Sequence, residues 1–198
     1  FYLSQLKSLR TFSLKFNSLV NHRDFKISTI LDNHTNYVYI NNELVPIQSD
    51  KNVMYFNIKL DKKFSFNNIS LNSMFCLQHS SDENILSVPF FLIDQKINYN
   101  RKMFSDIGLL ASLNVRFFSK YHIMSYSPLI DFFYQQQNNK TGMIPLTSLS
   151  LSIYKKYFSF SLIADNIHSL FYDGQFLIQD YFLPPYLLKT AIRWQFID

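Results

Sequence analysis

An all-β fold of long antiparallel strands follows from three features of the sequence. Apolar and polar residues alternate with a period of two from one end to the other. The alternating runs extend for roughly ten to twenty residues, where globular strands usually hold about five or six. The connections between runs are alternately tight and long.

About nine strands are expected, in one domain spanning 1–198. The first, near 10–20, sets Phe12, Leu14 and Phe16 against Ser13, Lys15 and Asn17. The second lies near 24–40. The third, near 53–61, sets Met54, Phe56, Ile58 and Leu60 against Tyr55, Asn57, Lys59 and Asp61. A fourth and a fifth follow near 64–79 and 88–100. The sixth, near 105–127, sets Leu109, Ala111, Leu113, Val115 and Phe117 against Ser112, Asn114 and Arg116. The seventh and eighth, near 145–154 and 157–168, flank Lys155 and Lys156 in "SIYKKYFSFSLIAD". The ninth, near 186–197, sets Leu188, Thr190, Ile192, Trp194 and Phe196 against Lys189, Ala191, Arg193 and Gln195. A helix would bring lysine and arginine into the apolar stripe of each segment, so strands are the consistent reading.

Tight turns are expected at "NHRD" (21–24), "DKK" (61–63), around "NRK" (100–102) and at "KK" (155–156). Long connections fall near 41–52, 80–87, 128–144 and 169–185. Beside the tight turns or the chain end stand Phe25, Phe64, Tyr99, Phe104, Tyr154, Tyr157, Trp194 and Phe196. Such a belt of aromatic rings suits the boundary between lipid and water. The chain is 47% hydrophobic, yet its mean hydropathy is −0.05. No stretch offers the ~20 apolar residues of a membrane helix, so any crossing must use strands. These features predict an antiparallel transmembrane β-barrel with short periplasmic turns and long extracellular loops, as in bacterial outer membranes. The rival is a soluble β-sandwich, which also alternates but buries one face of every strand. The opening "FYLSQLKSLR" has neither an initiator Met nor a signal peptide, and it reads as the start of a C-terminal portion of a longer chain.

Little points to other chemistry. The net charge of +5 is spread singly or in pairs rather than as a stripe, which argues against nucleic-acid partners. Cys76 is the one cysteine, so an intrachain disulfide and a CxxC site are excluded. His22, His34, His79, His122 and His168 lack the spacing of metal ligands. Asp165, His168 and Ser169 lie too close in sequence for a hydrolase relay, whose members converge from separate elements. No enzyme, cofactor or metal is expected. The informative set is the polar face: Lys15, Lys59, Lys96, Arg116, Lys189 and Arg193, with Asp61, Asp94 and Asp165 as acidic counterparts. These residues are expected to line a pore. There they either tune ion selectivity or pair with one another and stiffen the wall.

Two stretches carry a resemblance. In "VPFFLIDQKINYNRKMFSDIGLLASLNVRFFSKYHIMSYSPLIDFFYQQQ" a strand with Pro89 leads to Tyr99 and Phe104. A long strand through Arg116–Phe118 follows, then Tyr126 with Pro128 and the pair Tyr134–Gln135. In "YFLPPYLLKTAIRWQFID" the corresponding residues are Tyr181, Pro184, Arg193, Trp194, Phe196 and Asp198. Residues 88–198 thereby resemble the putative porin family of Bacteroidota, whereas 1–87 match only in strand rhythm. Ala191 stands where that family tends to place glycine, and "LPPY" departs from its usual loop wording. The resemblance implies an outer-membrane barrel in a Gram-negative bacterium with a channel role and no catalytic residues. The expected function is passive diffusion of small hydrophilic solutes. The expected partners are outer-membrane lipid, the barrel-assembly machinery and those solutes. The alternatives are the barrel of an energised, TonB-dependent-type transporter, or a closed structural or enzymatic barrel.

Overall fold

The computed structural model describes residues 6–20, 24–104, 106–172, 176–179 and 181–196. The strands are β1 (Arg10–Val20), β2 (Phe25–Thr35), β3 (Val38–Ile40), β4 (Pro46–Gln48), β5 (Val53–Phe66), β6 (Ile69–Ser80), β7 (Phe91–Lys102) and β8 (Ile107–Phe118). They continue as β9 (Tyr121–Ser127), β10 (Phe132–Thr141), β11 (Leu146–Lys155), β12 (Phe158–Asp165), β13 (Phe176–Gln179), β14 (Tyr181–Phe182) and β15 (Leu187–Trp194). A 3-10 turn spans Ile167–Leu170. Among the described residues no helix is long and apolar enough to cross a membrane.

The expected count of nine strands is therefore too low: the described residues form fifteen. Nine of them make one antiparallel sheet in the order β1-β2-β5-β6-β7-β8-β11-β12-β15, and the rest form sheets of four and two. Nor do the described residues close a barrel, because closure needs β1 to pair with β15 and each has a partner on one side only. β15 is exposed along its whole length, as an edge strand without a neighbour must be.

Each of the nine expected strands overlaps one strand of the main sheet, with corrected ends. The expected strand at 24–40 breaks at Asn36, whose φ of 60° is left-handed and interrupts pairing. The expected strand at 105–127 is two elements in different sheets, β8 and β9. The turn expected at 61–63 is displaced: β5 runs on to Phe66, and the chain reverses at 67–68. Asn67 takes the left-handed position there with φ 49°, which its short polar side chain tolerates. Asp24, Asn36, Asp131 and Asn166 take the same conformation elsewhere, and Gly142 also has a positive φ, whereas Gly108 lies within β8. The first expected turn, 21–24, lies outside the described residues except for Asp24, and Asp198 and the end of the ninth expected strand lie outside them too.

The tight and long connections alternate around the sheet. One end carries the hairpin turns β5/β6, β7/β8 and β11/β12; the other carries the connections β2/β5, β6/β7, β8/β11 and β12/β15. Burial concentrates at that second end. Val53 and Ile123 are the largest fully buried side chains, accompanied by Ser80, Ser125, Gln135, Gln136 and His168.

The connections form a sheet of their own in the order β10-β9-β13-β14. β13 pairs parallel to β9, with Ile178 opposite Met124. Ser125 Oγ donates to Gln179 Oε1 at 2.8 Å across this pair. Gln136, 3% exposed, holds the irregular stretch of β10. Its Nε2 donates to the carbonyls of Ile123 and Asn139 at 2.6 and 2.9 Å, and its Oε1 accepts the N–H groups of Asn138 and Asn139. A buried carboxamide with every group engaged fixes backbone that no ladder satisfies.

Candidate functional site: the polar face of the main sheet

The register determines which side chains share a face, because directly opposed residues point the same way. Pairing runs without a register shift from β1 to β15. Following it places Lys15, Lys59, Asp61, Lys96, Asp94, Arg116, Asp165, Lys189 and Arg193 on one face, drawn from six strands. The same face carries Lys26, Asp32, Lys63 and Lys102, which the sequence reading missed. Lys63 and Lys102 had been assigned to turns; Lys26 and Asp32 lie on β2, whose polar positions are interrupted by Ile30.

The acidic members are all engaged. Arg116 donates from Nη2 and Nε to Asp94 Oδ2 at 2.7 and 2.9 Å, directly across β7 and β8. Lys189 Nζ donates to Asp165 Oδ2 at 2.7 Å. Lys59 lies 3.3 Å from Asp61, two residues along the same strand. Asp32 accepts a hydrogen bond from Ser13. Among the described residues Lys15, Lys96 and Arg193 have no carboxylate partner. Pairs this exposed stabilise by about 0–1 kcal/mol each. Their larger effect is to convert six separate charges into three dipoles, leaving the unpaired cations to dominate the field.

Between the charges runs a lattice of small polar groups. Ser112 Oγ donates to Asn98 Oδ1 at 2.8 Å, Asn98 Nδ2 to Ser70 Oγ at 3.3 Å, and the hydroxyls of Ser152 and Ser161 meet at 2.8 Å. Two hollows open on this face. One of about 320 Å³ has Asp61, Lys63, Asn72, Asp94 and Lys96 in its lining; another of about 190 Å³ has Asn114, Arg116, Ser148 and Asp165. Fixed charges over a wettable wall attract or repel ions. Of the trio Asp165, His168 and Ser169, Asp165 is held by Lys189, and both ring nitrogens of buried His168 lack a partner. Burial lowers the pKa of His168 from its usual range. Among the described residues no group of three or more His, Cys, Asp or Glu gathers to hold a metal ion.

The opposite face is apolar and uncovered. Phe12, Phe16, Met54, Phe56, Phe75, Leu77, Leu151, Ile153 and Ile192 all lie on it and are exposed. A soluble sandwich would bury such a face, and among the described residues no second layer covers it. Of the expected aromatic belt, Phe25, Phe64, Tyr99 and Trp194 sit on the apolar face toward the turn end. Phe104 and Tyr157 sit in turns, and Phe196 stacks on Trp194 with ring centroids 5.7 Å apart. Phe158, unremarked in the sequence, meets the Trp194 ring edge-on at 6.1 Å. Tyr154 is a correction: it stands opposite Gly108 on the polar face, and its hydroxyl donates to Asn100 Oδ1 at 2.8 Å. Its ring covers Gly108, where a Cβ would collide with it.

A meander of long antiparallel strands with one wettable, charged face and one bare apolar face defines the class of a membrane-type sheet. The family model described as "Putative porin" matches residues 1–198, the whole chain, and the chain belongs to that family. Membership supports a porin-like role at the outer membrane in general terms. The match speaks to no taxon. No curated protein and no solved structure matches the chain.

Proposed function

We propose that the chain forms part of the wall of an outer-membrane β-barrel that passes small hydrophilic solutes by passive diffusion, without enzymatic activity. The observation that carries this reading is the segregation of the faces: the nine charged residues singled out share one face, while large apolar side chains stand exposed on the other. An apolar surface this extensive is stable against hydrocarbon and costly against water, at roughly 25 cal/mol per Å². The polar face would line the water-filled side, and the long connections would project outward. In a bilayer the unpaired backbone groups of β1 and β15 must find partners, so further strands would flank them and complete the ring. Insertion would draw on the barrel-assembly machinery.

Fractionation and conductance test the proposal together. The protein should remain in outer-membrane fractions after a carbonate wash and should give stepwise conductance in planar bilayers. Recovery in the soluble fraction defeats the membrane reading. Retention without conductance defeats the channel and favours a closed barrel.

A further inference from the structure

The apolar face of the main sheet carries no Asp or Glu among the described residues, yet it carries four cations: Arg10, Lys62, Arg101 and Lys155. Three of them lie toward the turn end, within the aromatic belt. Lys62 Nζ stands over the Phe25 and Phe64 rings at 5.9 and 5.2 Å. Arg101 and Lys155 flank β8, opposite Leu109 and Ile107 respectively. Two strand spacings and a two-residue offset along β8 separate their backbones by about 12 Å, a gap that two long side chains reaching for one anion can close. Neither has a carboxylate partner among the described residues. Beside Arg101 lies a cavity of about 330 Å³ lined by Tyr99, Arg101, Lys102, Met103, Phe104 and Leu109.

We infer that this cavity and its two flanking cations bind the headgroup of an anionic phospholipid in the leaflet at the turn end. This inference rests on the membrane reading proposed above. The guanidinium of Arg101 presents paired donors that match two phosphate oxygens, and Lys155 adds a point charge from the other side of β8. Leu109 with Ile153, then Leu113 with Ile97, continue the apolar face from this point toward mid-sheet, the direction an acyl chain takes from a phosphate at the boundary. A cation here has hydrocarbon on one side and rings on the other, so an anion at headgroup depth is its complementary partner. The charge at the two ends agrees. The long connections hold Glu43, Asp50, Asp82, Glu83 and Asp131 against three lysines, whereas the hairpin turns and their flanks are predominantly basic.

The test uses the full chain in vesicles of phosphatidylcholine containing a minority of phosphatidylglycerol. Lipid retained after gentle extraction is read by native mass spectrometry, and insertion is read separately by carbonate resistance. The wild type should retain phosphatidylglycerol preferentially. R101Q and K155Q should each reduce retention about fivefold, and the double variant more. The charge-matched control K26Q/K63Q, on the polar face at the same end and outside the cavity lining, should leave retention unchanged. Equal retention by wild type and double variant overturns the inference, as does an equal loss in the control, which would indicate general attraction rather than a site. A wild type that inserts but shows no preference overturns the inference and leaves the membrane reading standing. A wild type that fails to insert overturns both.

Discussion

At the scale of single residues, the tightest constraint on the polar face is the contact between Tyr154 and Gly108. The ring occupies the space a Cβ would need, and the hydroxyl reaches Asn100, tying β11 to β7 across the intervening β8. Gly108→Ala should push the ring off its seat and break that hydrogen bond. An overpacked site of this kind costs about 1–3 kcal/mol. Urea unfolding of the refolded protein in detergent or lipid should show a loss in that range, while Tyr154→Phe, which removes the hydroxyl alone, should cost about 1 kcal/mol. Tyr154 had been read as a belt residue because it sits beside a tight turn. Position along a strand was legible, but its face was uncertain: the lysine pair that follows makes the side of the last strand residues hard to count.

At the scale of elements, the nine long strands were readable because one residue of alternation decides each side chain's surroundings. The same signal failed at 61–63 for a physical reason. Lys62 occupies an apolar-face position and looks like a break, but its ammonium rests over two Phe rings, so the strand continues through it. Of the six short strands, β3 and β9 were read only as the ends of longer ones, and the other four were not read as strands. All six are short or irregular, one pairing, β9 with β13, spans a long separation, and their order depends on groups such as Gln136 that satisfy backbone atoms from the side. Within this assembly His168 is 3% exposed and lacks partners for both ring nitrogens. Burial favours its neutral form, so its folded pKa lies below the unfolded value of about 6.5. Below that unfolded value the unfolded segment binds more protons than the folded one. The stability of the connection therefore falls as the pH drops from about 6.5 through the folded pKa, and it is fully present above. Protection against hydrogen exchange over 166–172 and 176–179, after correction for the intrinsic slowing of exchange at lower pH, should fall between pH 7.5 and pH 5. His168→Phe should flatten that response, and a wild-type profile without acid sensitivity would remove His168 from any role in it.

At the scale of the whole molecule, the distribution of ion pairs refines how the polar face should act on permeating ions. Six cations and three carboxylates were expected there, and all three carboxylates are paired, which leaves Lys15, Lys96 and Arg193 as the exposed positive field. The additional Lys26, Lys63 and Lys102 outweigh Asp32 and push the balance further the same way. A mild preference for anions follows, stronger at low ionic strength because screening extends over about 8 Å at physiological salt. Lys96→Glu combined with Arg193→Glu should shift the reversal potential toward cations under a salt gradient. Stability should change little, since neither residue breaks an ion pair. Planar-bilayer recordings provide the measurement, and an unchanged reversal potential would mean that these side chains do not face the permeation path.

The bond between Ser125 and Gln179 joins residues 54 apart in sequence, and the parallel pairing of β13 with β9 has the same span. Among the described pairings of the main sheet, by contrast, each strand joins the next long strand along the chain. The two sheets therefore differ in contact order. Hairpins can zip in sequence with small closure entropy, whereas the crosswise sheet of connections forms only after β11 and β12 have brought its halves to the same end. A nascent chain would thus pass through a stage in which the wall is built and its mouth is still unroofed.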